Sequence, residues 1–308
     1  MEVPRYRTAV QDSARWDGFR FRPGDIVITT PPKCGTTWTQ MICALLVFQT
    51  PDLPAPLGEL SPWLDMVTRP RTVVFANLEG QTHRRFVKSH TPLDGLPQDP
   101  SVTYICVGRD PRDVALSMDH HRANLDFAEL ARSRAEAAAI DGIELEPLPP
   151  DPPPIEDPRD RFWHWVDDDS DPRISLSTLR YTLTHLKRSS DPPAGLDVLL
   201  LHFDDLLADL EGQMRGLATR LGIDVPESRW PALVDAASFA TMRRNATMTV
   251  PGASPRQWHD PQGFFNKGTS GQWRTLLDDA DLARYAARAR QLAPEPLLRW
   301  VHRSSFPT

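Results

Sequence analysis

The chain is short of cysteine, of basic excess and of long apolar runs, and each shortage removes a class of function. Its 308 residues include only three cysteines, Cys34, Cys43 and Cys106. That odd set has no metal-ligand spacing, so it excludes a disulfide framework and a thiolate metal site and suits reduced thiols in the cytoplasm. The formal net charge is −6 and the isoelectric point is near 5.8. No broad basic face for nucleic acid or an anionic bilayer is expected, and any anion site must be local. The longest apolar stretch, "MICALLVF", is far too short to cross a bilayer, and "MEVPRYRTAVQDSARW" lacks the apolar centre of a secretory signal. There is no internal repeat and no clear domain boundary. The expectation is one cytoplasmic domain over residues 1–308, without an integral membrane segment or a nucleic-acid partner. Monomer and homodimer are both open.

What is present alternates between two patterns. "DIVIT", Asp25 to Thr29, is a short β-branched run stopped by Pro31 and Pro32, as a buried strand entering a loop would be. From Thr37, "TWTQMICALLVFQ" has apolar residues at helical spacing. "RRFVKSH" and "SVTYICVGRD" read as further strands ending in charge. "PRDVALSMDHH" reads as a helix opened by Pro111, whose missing N–H is unneeded in a first turn. "GLDVLLLHFDDLLADLEGQMRGLATRLG" reads as a strand followed by an amphipathic helix with a Gly222 stop. "LEPLPPDPPPIEDP" is too proline-rich for helix or central strand, so an exposed insert is expected around 143–158. Strand and helix in alternation predict an α/β fold: a central parallel sheet flanked by helices, with ligands at the carboxyl ends of the strands.

One strand-to-helix loop, "ITTPPKCGTTWTQMI", has the makings of an anion site. Backbone N–H groups in a tight turn and the positive end of the helix attract phosphate. Gly35 permits close approach, Thr36 and Thr37 add hydroxyls, and Lys33 supplies charge. Triphosphate-binding loops put lysine directly after their last glycine and a magnesium-binding hydroxyl beside it. Here lysine comes two residues before the only glycine, an order that disfavours a magnesium triphosphate. Taken alone, the loop is as often an ordinary proline-rich turn.

In chain order, "PPKCGTTW", "KSH" (Lys88 to His90), "VGRDPRDVALS" (Val107 to Ser117) and "FNKGTSGQW" (Phe265 to Trp273) closely resemble the cytosolic sulfotransferase family. The resemblance implies a P-loop-like nucleotide-binding core. It also implies 3'-phosphoadenylyl sulfate as donor, with no metal required, a hydroxyl or amine on a small acceptor, and adenosine 3',5'-bisphosphate as product. By the same resemblance Lys33, Cys34, Gly35, Thr36 and Thr37 wrap the 5'-phosphate, while Trp38, Phe203, Phe239 and Met242 surround adenine. Arg109 and Ser117 hold the 3'-phosphate from one side, and Asn266, Lys267 and Gly268 from the other. His90 is the implied general base, since imidazole titrates near neutrality. Lys33 and Lys88 would stabilise charge on the sulfuryl and bridging oxygens, and Ser117 would restrain Lys33 until the acceptor arrives.

The chain departs from the family pattern in three places: Asn266 stands for arginine, Phe203 for tyrosine, and Cys34 for serine, which puts a candidate reactive thiol at a helix start. The family's dimer motif is not recognisable in "RTLLDDADLA". A rival reading is a cysteine phosphatase, because Cys106 and Arg112 satisfy C-x5-R, although Asp110 and Pro111 inside that loop disfavour phosphate. A non-catalytic nucleotide-binding protein is a further alternative. The aromatics of "RFWHWV" fit either an apolar acceptor pocket or a packed cluster.

Overall fold

The computed structural model describes residues 3–145, 154–250 and 255–306. Four strands, β1 (Ile26–Thr29), β2 (Phe86–Ser89), β3 (Thr103–Gly108) and β4 (Asp197–His202), form a sheet in the order β2-β1-β3-β4. Every pairing is parallel. All residues of β1, β2 and β3 are buried, which is why these strands read as unbroken apolar runs rather than alternating ones. The expected α/β fold, a central parallel sheet flanked by helices, is what the chain adopts.

Helices pack on both faces. The helix α1 (Thr36–Phe48) covers one face through Ile42, Leu45 and Leu46, all fully buried with Ile28, Phe86 and Ile105. Each such side chain contributes about 1.5–3 kcal/mol by leaving water. α1 ends at Gln49, whose left-handed backbone lets its N–H reach the Leu45 carbonyl. A second cluster gathers Phe162, Trp163 and Trp165 with Tyr285 and Leu298. The "RFWHWV" aromatics therefore make core, not acceptor pocket. At the amino ends of the strands, the buried Arg85 guanidinium grips both oxygens of Asp25, with Nε 2.9 Å from Oδ1.

The register fixes what faces what at the carboxyl ends. Ile28 lies opposite Lys88 and Thr29 opposite Ser89, so the loop after β1 and the segment through His90 emerge side by side. Half of the expected insert around 143–158, residues 146–153, lies outside the described residues. At its far end Asp157 caps a helix, Pro158–Asp167, by accepting from the backbone N–H of Arg159 and Asp160. The region near "WPALVDAASFATMRRN" is two helices, Trp230–Ala237 and Phe239–Arg244, because Ser238 leaves the helical conformation and caps the second.

Candidate active site

The loops after β1, β2 and β3 converge on a cavity of about 930 Å³, within the range for small-ligand sites. Every residue predicted for the site except Cys34 lines it.

The loop after β1 is shaped by two left-handed residues, Lys33 at φ 67° and Gly35 at φ 114°. Lysine seldom accepts this conformation, and alternating handedness turns successive N–H groups toward one concavity. Gly35 also has little room: a Cβ there would come within 3.3 Å of Phe203. The Thr30 and Thr36 hydroxyls bond across the loop. Between its neighbours, Cys34 points the other way, fully buried against Cys106, Val114 and Ala115. Burial raises its thiol pKa far above the ordinary value. The candidate reactive thiol is therefore an inert core side chain, and only its backbone belongs to the loop.

Arg109, at the end of β3, ties this loop to the last one. Its guanidinium donates to the carbonyls of Lys33 at 3.0 Å and Thr269 at 3.1 Å, and lies 4.3 Å from the Phe203 ring centre. The Nε–H is buried with no partner among the described residues. Asp113, one turn into the helix Pro111–Ala123, accepts from the N–H groups of Gly271 and Gln272 at 2.7 and 2.8 Å. The last loop is thus pinned from two sides. Gly268, at φ 65°, sits so close under Phe239 that a Cβ would fall 2.5 Å from the ring. Trp38 packs edge-on to Phe203, with centroids 5.5 Å apart, and donates to the Ala237 carbonyl at 2.8 Å. Met242 is buried, Ser117, Phe239 and Asn266 are half-buried, and Lys267 is exposed.

At the other side of the cavity His90 is held from three directions. Its Nδ1 donates to the Thr30 carbonyl at 2.7 Å, its own carbonyl accepts from Tyr181, and the Trp63 ring stands edge-on 4.7 Å away. The Nδ1 bond fixes the tautomer and leaves Nε2 with its lone pair. Burial, and then the charge of Lys88, hold His90 well below the usual imidazole range, so the ring is neutral at pH 7. Lys88 lies 4.5 Å from the Trp63 ring centre.

The cations here are desolvated. Burial, then the charges of Arg109 and Lys88, lower Lys33 to about 7. Burial lowers Lys88 to about 8 against a smaller opposing pull from Asp65. Among the described residues no carboxylate pairs with Lys33, Lys88 or Arg109. Buried positive charge without an anionic partner is costly, and a bound anion would relieve it. No cluster of metal-ligating side chains occurs among the described residues.

The comparisons with known proteins bear on this geometry directly. A sulfotransferase domain profile matches residues 23–295. The chain belongs to the sulfotransferase family. A glycolipid sulfotransferase of Mycobacterium bovis is 39% identical, covering 96% of this chain and 93% of that one. Sulfotransferase 1A1 of the dog is 25% identical over 87% and 83% of the two chains. Among solved structures, a mouse sulfotransferase complexed with PAP superposes with a TM-score of 0.61 at 18% identity, covering 95% and 90%. A retinol dehydratase bound to retinol and PAP superposes at 0.59 with 19% identity, covering 91% and 84%. At those identities the likeness is one of fold.

This sulfotransferase does not form the rival phosphatase site. Cys106 is buried within β3 with its thiol raised to about 12 by burial. Arg112 is spent on Asp110, at 2.6 and 2.9 Å, and stacks 3.8 Å from Trp273. A second correction concerns Lys33. Its hydrogen bond goes not to Ser117 but to Nδ1 of His121, 3.3 Å away and one turn further along the same helix. His121, Trp63, Trp258 and Phe264 line the cavity and were not anticipated. The sequence signal for His121 was its four-residue spacing from Ser117, which places both on one helix face.

Proposed function

We propose that this sulfotransferase moves the sulfuryl group from 3'-phosphoadenylyl sulfate to a hydroxyl or amine of a small, apolar acceptor, with His90 as general base. The observation that carries the reading is the joint placement of His90, its Nδ1 committed to Thr30, in one cavity with Lys33, Lys88 and Arg109. Nε2 takes the acceptor proton as the acceptor oxygen or nitrogen bonds to sulfur. The sulfur–oxygen bond to the 5'-phosphate breaks at the same time, and the electron pair stays on that oxygen. Lys33, the N–H groups of its loop and Lys88 stabilise the charge that develops there, in a site dry enough to strengthen each contact.

Gly35 and Gly268 admit phosphate where a side chain would not, and the unpartnered Nε–H of Arg109 is a donor for the 3'-phosphate. Ser117, Asn266 and Lys267 complete that side, while Trp38, Phe203, Phe239 and Met242 offer apolar surface for adenine. Support for an apolar acceptor comes from Met66, Leu125, Leu130 and Leu176 on the cavity wall and from the mycobacterial relatives named for glycolipids. A purely nucleotide-binding role leaves His90 and Lys88 without a purpose in the same cavity. The test is thermal unfolding with adenosine 3',5'-bisphosphate in the absence of metal. At a hundredfold excess over Kd it should stabilise by about 2.7 kcal/mol, and ATP with magnesium should not. Stabilisation by ATP alone would overturn the donor assignment.

A further inference from the structure

Part of the cavity carries positive charge that the donor does not use. Among the described residues its wall has no aspartate or glutamate, although the chain holds 41 acidic residues against 35 lysines and arginines. Four of its cations, Lys33, Lys88, Arg109 and Lys267, belong to the side assigned to the donor. The other three, Arg69, Arg122 and Arg134, come from the elements that supply the apolar wall.

Each of the three stands beside apolar surface. Arg69 follows Met66 in one stretch, Arg122 shortly precedes Leu125, and Arg134 lies one turn beyond Leu130 on the helix Phe127–Asp141. The buried Arg15 draws Arg69 and that helix together, donating to the Arg69 carbonyl at 2.7 Å and to the Asp141 carboxylate at 3.2 Å. Asp141 is two turns from Arg134, so the two share a helix face. The stretch that carries Arg69 also supplies Trp63, the ring packed on His90, and no part of the donor loops. The Arg69 guanidinium is half-buried and donates to the Gly58 carbonyl at 3.3 Å. Neither it nor Arg122 has a carboxylate partner among the described residues, and the buried Thr68 hydroxyl beside Arg69 has no partner either. Carboxylates close by in the chain are engaged elsewhere: Asp65 accepts from Ser89 at 2.7 Å, and Glu129 pairs with Arg132.

We infer that the acceptor is amphipathic: the hydroxyl or amine that reacts at His90 is followed by an apolar body and then by an anionic group, a phosphate or a carboxylate, which Arg69 and Arg122 bind. The inference rests on the proposed use of His90 and of the donor loops. A guanidinium forks onto two oxygens of either anion, and a wall without carboxylates sets no repulsion against it. A site built around such donors discriminates against an analogue of the same shape that lacks the anion.

The test uses the full chain saturated with adenosine 3',5'-bisphosphate, so that the donor side is filled. Calorimetry measures Kd for ω-hydroxyalkanoates of graded chain length, their methyl esters and the matching ω-hydroxyalkyl phosphates. At the best length the acid or the phosphate should bind about tenfold to a hundredfold tighter than the ester, the scale of charge-assisted hydrogen bonds, and the tighter of the two identifies the anion. That preference should fall in Arg69→Gln and in Arg122→Gln and return in part in Arg69→Lys. It should persist in Lys187→Gln, which removes an exposed charge outside the cavity. Arg122 is exposed, so its variant decides should Arg69→Gln not fold. Equal affinity for anion and ester at every length, no binding included, overturns the inference. So does a preference that survives both glutamine variants or falls equally in Lys187→Gln. Failure of adenosine 3',5'-bisphosphate to bind removes the donor reading and the inference together. Binding of the nucleotide with no preference for the anion removes the inference alone.

Discussion

Nucleotide binding should weaken steeply between pH 7 and pH 9, and the reason lies in two lysines. An anion seated between Lys33 and Lys88 binds best when both are ammonium ions. In the ligand-free protein burial and neighbouring cations lower Lys33 to about 7, and burial lowers Lys88 to about 8. The bound anion raises both values. The affinity each lysine contributes is therefore complete below its ligand-free value and is lost as pH climbs through it. At pH 9 Lys33 lies about two pH units above its value and Lys88 about one, and each unit costs about 1.4 kcal/mol. The combined penalty is about 4 kcal/mol, close to a thousandfold in Kd. The nucleotide's own phosphates titrate with a second pKa of about 6 and are mostly ionised by pH 7, so they do not offset it. Calorimetric titration with adenosine 3',5'-bisphosphate, in buffers of different ionisation enthalpy, reads Kd and proton uptake together. Uptake should approach two protons per nucleotide at pH 9, and Lys33→Met should remove about one of them. A Kd steady within about twofold over this range, or net proton release, would refute the reasoning.

Other consequences follow from single positions. Gly268→Ala combines a left-handed backbone with a Cβ 2.5 Å from Phe239, whereas Gly142→Ala has the same handedness and open space. Denaturant unfolding should show a loss of about 1–2 kcal/mol for Gly142→Ala and more for Gly268→Ala, with only the latter weakening nucleotide binding. Arg85→Met leaves the buried Asp25 carboxylate without its ion-pair partner, with the Arg22 N–H still bonded to it, and urea titration should register about 3–5 kcal/mol of lost stability, much of it restored by adding Asp25→Asn. Cys34, Cys43 and Cys106 are all buried, with thiols held above their ordinary values. A disulfide reagent should find no reactive thiol in the folded chain and three in denaturant.

The sheet was legible because its central strands are buried on both faces and so appear as short β-branched runs closed by proline or charge. The tight turn around Lys33 and Gly35 was legible because a lysine and a glycine between strand and helix write its backbone demands locally, whereas Arg109 and Gly268 were reached only through the resemblance of their motifs to the family. Cys34 was misread because the direction a side chain takes within a turn depends on the handedness of its neighbours, Lys33 and Gly35, which composition does not reveal. His121 was missed for a different reason. At the end of "PRDVALSMDHH" it reads as a charge near a helix terminus, and only folding brings Trp258 and Phe264 around it. Trp63 escaped likewise, since its contact with His90 joins segments that share no local pattern.

The central claim is sulfuryl transfer with His90 as base. The most direct measurement is label transfer from radiolabelled 3'-phosphoadenylyl sulfate to a panel of phenols, alcohols, amines and lipid extracts, for wild type and His90→Ala. Wild type should label at least one class. His90→Ala should lose about 10²–10⁴-fold in rate while adenosine 3',5'-bisphosphate still raises its melting temperature. Transfer that persists undiminished in His90→Ala would contradict the account.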